Sequence, residues 1–300
     1  MPTTVSPDGP PVNPVKAALS RFVVGTGIDR AFFALQRLAH HSSYVRAVNY
    51  HAVPQRHAES FRRQLEWYRR VFSPVGLDDL NALFETKTWK KDKPGLIVCF
   101  DDGRRDNIDV ALPMLDEFGF IGWFFVPVGF IEAPPHDQFA FAKSQRIFHL
   151  PQDEKADRLA MTWDEIRELD RRGHVVSCHT WSHCRLNESV SAELQEREIV
   201  GAKSKIEQEI GRAVAAFGWV GGEASSFSAS AARRIASAGF RYGFMNANAI
   251  ITPKTNPLQL QRTNVEAVWP LEVVRFQLCG FMDAYSWRKR RRIDLLTRIE

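Results

Sequence analysis

From Tyr44 onward the chain alternates apolar runs of strand length with stretches of helical period, and few architectures other than a parallel sheet, closed or doubly wound, accept that order. Strands are expected at residues 45–50, 96–100, 120–126, 175–178, 213–217, 241–245 and 259–265. Helices are expected at 60–71, 77–84, 111–118, 191–210, 228–238 and 271–279, with one more opened by the capping box Thr162-Trp163-Asp164-Glu165 and stopped at Gly173. Ahead of this body, residues 15–41 carry Leu19, Phe22, Ile28, Phe32, Phe33, Leu35 and Leu38 on a roughly helical period. That pattern suits a helix on the outside of the domain, or an amphipathic helix on lipid helped by Lys16, Arg21, Arg30 and Arg37. Residues 1–13, rich in Pro, Thr, Ser and Gly, cannot bury a core and are expected to be flexible.

The division that follows is a flexible segment and helix over 1–43, one catalytic domain over 44–283 and a basic C-terminal tail over 284–300. An apolar fraction of 44% and a charged fraction of 25% exclude disorder of the whole chain. Much of the net charge of +5 sits in Arg288, Lys289, Arg290, Arg291 and Arg292. A solvated helix face or tail is the plain reading of that run, an anionic membrane surface or acidic glycan the other, and no nucleic-acid partner is expected from it. Cys99, Cys178, Cys184 and Cys279 form no CxxC pair, the N-terminus has no basic region followed by an apolar run, and no eighteen consecutive residues are apolar. The expected location is the cytoplasm, with membrane contact left open.

Two strand ends carry the chemistry. Asp101 and Asp102, followed by Gly103, stand where parallel sheets place their sites, and adjacent residues there point to opposite sides and take different tasks. Alone, such a triplet fits a calcium loop or a plain turn equally well. After the strand at 175–178 come His179, Thr180, Trp181, Ser182 and His183; histidines four apart fall on one side of a turn and converge on one metal. The zinc-protease reading of that spacing fails, because position 180 is Thr where a Glu base is needed. Two imidazoles and a carboxylate suit zinc or a similar divalent ion and leave positions open for water and a carbonyl.

Cys99-Phe100-Asp101-Asp102-Gly103 and His179-Thr180-Trp181-Ser182-His183 resemble the first two motifs of the polysaccharide deacetylases, carbohydrate esterase family four or NodB-homology domain. Asn49-Tyr50-His51-Ala52-Val53 is similar to the first strand of one subgroup, and the resemblance spans roughly residues 44–280. It implies an α/β fold, a distorted (β/α)7-type barrel, with Asp101 as base and Asp102, His179 and His183 as metal ligands. The implied enzyme is a hydrolase of carbon–nitrogen bonds that removes N-acetyl groups from an amino sugar in a polysaccharide or glycan precursor, using metal-activated water.

Two departures stand out. The third motif's stretch is Phe217-Gly218-Trp219-Val220-Gly221-Gly222-Glu223, without proline, where amides near Trp219 and Val220 are expected to line an oxyanion; and the family's late histidine has no counterpart, since no histidine follows His183. His51 is then the candidate general acid, with Arg262, Asn264 and Glu266 touching Asp101 or substrate, and Trp163, Trp181 and Trp269 available to stack on sugars. His174 is expected to be structural, and His40, His41, His57, His136 and His149 to lie on the surface or in loops. The alternatives kept are a catalytically impaired glycan-binding protein and a same-fold hydrolase of small non-sugar amides.

Overall fold

The computed structural model describes residues 12–299, so the flexible stretch expected at the N-terminus lies outside it up to residue 11. The strands are β1 (Val45–Tyr50), β2 (Ser73–Pro74), β3 (Gly95–Phe100), β4 (Gly122–Val126), β5 (Val175–Cys178), β6 (Ala216–Gly218), β7 (Tyr242–Met245), β8 (Leu260–Gln261) and β9 (Thr263–Asn264). Their order is β8-β7-β6-β5-β4-β3-β1-β9, all parallel, with β2 beside β3. Because β8 pairs with β7 and β9 pairs with β1, and only Arg262 separates them, one segment closes the sheet into a nearly complete barrel. The single strand expected at 259–265 is therefore two halves bent at Arg262, each serving a different neighbour.

Period-two alternation sorts the strand side chains into two cores. One parity, with Val48, Tyr50, Val98, Phe100, Phe124, Val126, Val176 and Phe217, meets the surrounding helices. The other, with Val45, Ala47, Ile97, Cys99, Trp123, Phe125, Val175, Ala216, Tyr242, Phe244 and Leu260, fills the barrel. Leu80 and Leu83 of the helix Leu77–Thr86 join this inner cluster and seal the amino end of the barrel. Two neutral hydrogen bonds finish that end: Trp123 Nε1 donates to Val75 O at 2.9 Å and Tyr242 Oη to Asn81 Oδ1 at 2.7 Å. The inner parity brings Asn49, within β1, and Asp101, His179 and Arg262, one step past β3, β5 and β8, to the opposite, carboxyl end.

Helices mostly fall where expected, and the Thr162 box opens Trp163–Arg171, with Thr162 Oγ1 accepting from Glu165 N at 3.2 Å. The stretch 127–161, where no element is expected, holds the short helices Val128–Glu132 and Gln138–Gln145. Residues 15–41 form not one helix but two, Pro14–Gly25 and Ile28–Ala39, broken at Gly27 with φ +77°. They are fastened to the barrel's covering helices: buried Asp29 accepts from Arg275 Nε at 2.8 Å, and Gln36 Nε2 donates to Cys279 O at 2.9 Å. The basic C-terminal run is the helix Trp287–Leu296, anchored by buried Ile293, with Arg288, Arg291 and Arg292 exposed. Among the described residues no helix is long and apolar enough to cross a membrane.

Candidate active site at the carboxyl end of the barrel

Asp101 leaves β3 pointing inward and is fixed from two sides. Arg262 Nη1 donates to its Oδ1 at 2.6 Å and Arg262 Nη2 to its Oδ2 at 2.9 Å, while Asn49 Nδ2 donates to Oδ2 at 2.8 Å. Burial opposes ionisation, but the Arg262 guanidinium, with His179 and His51, holds this carboxyl below the usual range. The carboxylate is thus charged, oriented and short of mobility.

Asp102 turns the other way, at φ +74°, a conformation that costs a non-glycine residue about 1–3 kcal/mol and is typical of functional sites. Its Oδ2 accepts from Phe148 N at 2.9 Å. Its Oδ1 is buried without a hydrogen-bond partner and lies 3.2 Å from His183 Nε2 and 3.7 Å from His179 Nε2. Against the penalty of burial, His183 and the neighbouring imidazoles hold the Asp102 carboxyl well below its ordinary range.

The imidazoles are oriented from behind. His179 Nδ1 donates to Gly218 O at 2.8 Å and His183 Nδ1 to Gln145 O at 2.8 Å. A carbonyl can only accept, so each Nδ1 carries the hydrogen and, in the neutral tautomer, each Nε2 presents a lone pair. Burial lowers the His179 pKa to about 4, so that ring is neutral near pH 7. His183, by contrast, is pulled above its ordinary value by the Asp102 carboxylate against the penalty of burial, so Asp102 Oδ1 and the two Nε2 atoms face one another across a space where a cation can take the place of a proton. Asp102, His179 and His183 are the residues grouped closely enough to hold a metal ion among those described, their ligand atoms lying within 4.8 Å of one another. The donor set fits a divalent ion, and Gly218 is part of the fit: a Cβ there would meet His179 Nδ1 at 3.1 Å and Phe125 Cδ1 at 2.7 Å.

The turn carrying both histidines is held by buried Glu198, from the helical run 192–210, which accepts from Trp181 N at 3.0 Å, Ser182 N at 2.8 Å and Ser182 Oγ at 2.7 Å. Thr180 and His183 take φ +66° and +58° there, strain that this clamp offsets. The unexpected helix Gln138–Gln145 supplies the carbonyl behind His183, and the segment after it supplies Phe148 N. Buried Arg104 ties that segment down, donating to Phe148 O and Asp153 Oδ2, each at 2.9 Å.

His51 follows β1 into the same cleft, its Nδ1 3.6 Å from Glu266 Oε1: too far for a hydrogen bond, near enough for a charge interaction. Burial disfavours its protonated form, but Glu266, Asp102 and Asp101 outweigh burial and raise its pKa to about 9. The cleft, of about 730 Å³, is lined by His51, Asp101, Asp102, His179, His183 and Val220, and also by His149 from the loop after the helix Gln138–Gln145.

Of the residues expected near substrate, Trp219 and Trp181 do something else, and Arg262, expected to touch Asp101 or substrate, touches Asp101. Arg262 is fully buried behind Asp101, because the barrel closes at that residue and turns its side chain inward. Trp219 packs in the outer core against Phe217 and Phe227, and its N–H is already given to Phe244 O at 3.0 Å, so no oxyanion can use it. Trp181 lies under Gly129 with Arg197 stacked on it and does not line the cleft. Asn264 does line it, and His174 is structural, accepting from Gly122 N at 2.9 Å.

The model of the polysaccharide deacetylase family matches residues 89–243, a span that includes both strand-end motifs. No curated protein matches the chain in sequence. Among solved structures, the deacetylase PplD of Streptococcus pyogenes, in complex with acetate, is similar at TM-score 0.62 and 15% identity, over 78% of this chain and 98% of that one. A de-N-acetylase from Aggregatibacter actinomycetemcomitans gives TM-score 0.61 at 16% identity over 78% and 100%, and IcaB from Ammonifex degensii 0.59 at 16% over 80% and 97%. At such identities the likeness speaks for the barrel alone, whereas the family match covers half the chain and its motifs. The barrel's carboxyl end thus carries the two strand-end motifs of that family, and this chain belongs to the polysaccharide deacetylases, hydrolases of carbon–nitrogen bonds other than peptide bonds.

Proposed function

We propose that the protein removes an acetyl group from an N-acetylated amino sugar in a polysaccharide or glycan precursor, with a divalent cation, zinc by its donor set, held by Asp102, His179 and His183. The observation that carries this reading is the unpartnered Asp102 Oδ1 facing two imidazole Nε2 atoms, with the ionised Asp101 carboxylate beside them at 3.9 Å from His179. A divalent cation supplies Lewis acidity toward an acetamide carbonyl and toward water.

The chain's own groups account for the proton transfers. Asp101, kept ionised by Arg262, accepts the proton of the attacking water. His51, protonated up to about pH 9, donates to the leaving amine nitrogen as the carbon–nitrogen bond breaks. With Trp219 N engaged, the third-motif residues that line the cleft are Val220, Gly221, Gly222 and Glu223, and the Val220 amide is the one we assign to the oxyanion. The test is acetate release from N-acetylglucosamine oligomers and small acetamides by the zinc-loaded chain. Sugar turnover that falls about 10²–10⁴-fold in Asp101→Asn, at unchanged zinc content, supports the reading. Bound zinc with no acetate from any substrate would instead favour a glycan-binding protein, and release from acetamides alone a hydrolase of small amides.

The N-terminal helices support a location at an anionic membrane surface. Val15 (76% exposed), Leu19 (38%) and Phe22 (62%) form one outward stripe and Leu35 (61%) and Leu38 (74%) another, with Arg21, Arg30 and Arg37 also exposed on the same two helices. Cosedimentation with phosphatidylglycerol vesicles, weakened by Phe22→Ser with Leu38→Ser and absent with phosphatidylcholine alone, is expected. Concentration-dependent dimerisation lost in the same variant would assign the stripes to a second copy instead.

A further inference from the structure

Beside a neighbouring groove the cations are paired, Arg104 with Asp153 and Arg158 with Glu165. The active-site cleft differs. Lys143, Arg146, Arg185 and Lys289 all line it, and among the described residues none has a carboxylate within ion-pairing distance. They arrive from three places: the helix Gln138–Gln145 and its end, the residue pair after His183, and the C-terminal helix Trp287–Leu296. Only Glu154 and Glu223 line the cleft with the opposite charge beyond the catalytic carboxylates, and both are exposed. Glu223 lies in the field of Arg185 and Lys289, which help hold its carboxyl below the usual range, after its own backbone hydrogen bond.

Local geometry keeps two of these cations in place. The turn Gly221-Gly222 runs between them: at Gly221, φ +84°, a Cβ would meet Arg185 Nε at 3.1 Å, and at Gly222 it would meet Lys289 Nζ at 3.5 Å. Side-chain-free backbone lets both charges close on this edge of the cleft. Lys289 Nζ also donates to Asn246 O at 3.3 Å, which holds the start of the C-terminal helix against the residue that follows β7. Four cations without an ion-pair partner around one concave cleft, Lys143, Arg146 and Lys289 exposed and Arg185 half-buried, attract a multiply charged anion more than a neutral glycan, and a guanidinium with ammonium groups around it matches phosphate oxygens.

Resting on the deacetylase reading, we propose that the substrate is a phosphorylated N-acetylamino sugar, its phosphate ester or diphosphate bound by Arg185 and Lys289, with Arg146 and Lys143 adding charge to the same cleft, while the acetamide reaches Asp101 and the metal ligands. A sugar joined through phosphate to a nucleoside and one joined to a polyprenyl lipid share this chemistry. The enzyme then acts after the step that installs the sugar phosphate and before any step that polymerises the sugar into a neutral chain.

The zinc-loaded full chain is assayed for acetate release on a nucleoside-diphosphate N-acetylglucosamine, a short polyprenyl-diphosphate N-acetylglucosamine in detergent, and a neutral chitin tetramer. At least one phosphorylated substrate is expected to exceed the tetramer in kcat/KM by 30-fold or more, and whichever leads identifies the source of the phosphate. In the double variant Arg185→Gln, Lys289→Gln that advantage falls at least tenfold, through KM, with zinc content and melting temperature retained. Equal kcat/KM for tetramer and phosphorylated sugars, or an advantage the double variant keeps, overturns the proposal while leaving deacetylation intact. Should no sugar be turned over, the deacetylase reading falls separately, and calorimetry with inorganic diphosphate still decides: binding weakened at least tenfold in the double variant supports the anion site, and binding that is absent or unchanged, as for diphosphate held by zinc alone, refutes it.

Discussion

The two ends of the barrel are built from the same strands and the same inward parity, yet they are opposites. At the amino end Trp123, Tyr242, Ile97 and the capping Leu80 and Leu83 make a dry layer whose polar atoms are matched by neutral hydrogen bonds. At the carboxyl end, a few residues along, the inward positions are Asn49, Asp101, His179 and Arg262, and Asp102 Oδ1 beside them is left without a partner. The first arrangement is what stability asks of a barrel; the second concentrates buried charge and strained backbone and is tolerable only where it is used. One end stabilises the scaffold, and the other draws on that stability.

The sharpest way to break this contrast is to remove one of the proposed ligands. His179→Ala is expected to take zinc from about one per chain to near zero and acetate release below detection, with little loss of folded protein by circular dichroism. A fully active, metal-bound variant would dissolve the distinction. Next in size is His51→Gln, expected to lower kcat about 10²-fold. The wild-type profile adds the sign: His51 titrates near 9, above its ordinary value of 6.5, so the protonated donor is complete below about pH 7 and activity declines as pH rises through 9. In the variant that alkaline decline should vanish, and its persistence would exclude His51 as the donor.

Arg262→Gln sharpens the comparison from within, since Arg262 both closes the barrel and holds Asp101. Leaving that buried carboxylate uncompensated costs about 3–5 kcal/mol. It also raises the Asp101 pKa, so the acid limb of the rate profile moves to higher pH, a shift that a purely structural role would not produce. The smallest effect on turnover belongs to the dry end: Trp123→Ala should cost about 3–5 kcal/mol of stability by urea unfolding while kcat per folded, zinc-loaded molecule stays within about twofold.

How much of this was legible in the sequence follows the same division. The alternation of strands and helices was readable because strand and helix periods are local patterns, whereas closure of the sheet into a barrel and the meeting of residues 101, 102, 179 and 183 rested on the resemblance of two motifs to a family. The inward parity that carries Asn49 and Arg262 was also present, in Val45-Ala47-Asn49 and Leu260-Arg262, but it assigns Arg262 to the barrel axis rather than to substrate. Trp219 misled for the same reason, since alternation from Phe217 sends it outward into the helix-facing core. The groups that orient the site had no signature to find. Gly218 O, Gln145 O and Phe148 N are backbone atoms, and Glu198 reaches the histidine turn from fifteen residues beyond it, through a fold that only tertiary packing creates. The wall at 127–161, with its short helices, offers too few turns for a periodicity to show.

The central claim is that Asp102, His179 and His183 hold a single catalytic cation, and it is tested most directly by removing the metal with a chelator, adding zinc back stepwise, and recording acetate release with bound zinc at each point. The account expects activity to vanish on chelation and to return linearly, saturating at about one zinc per chain, with no uptake by His179→Ala. Full activity in the chelated, metal-free protein would contradict it.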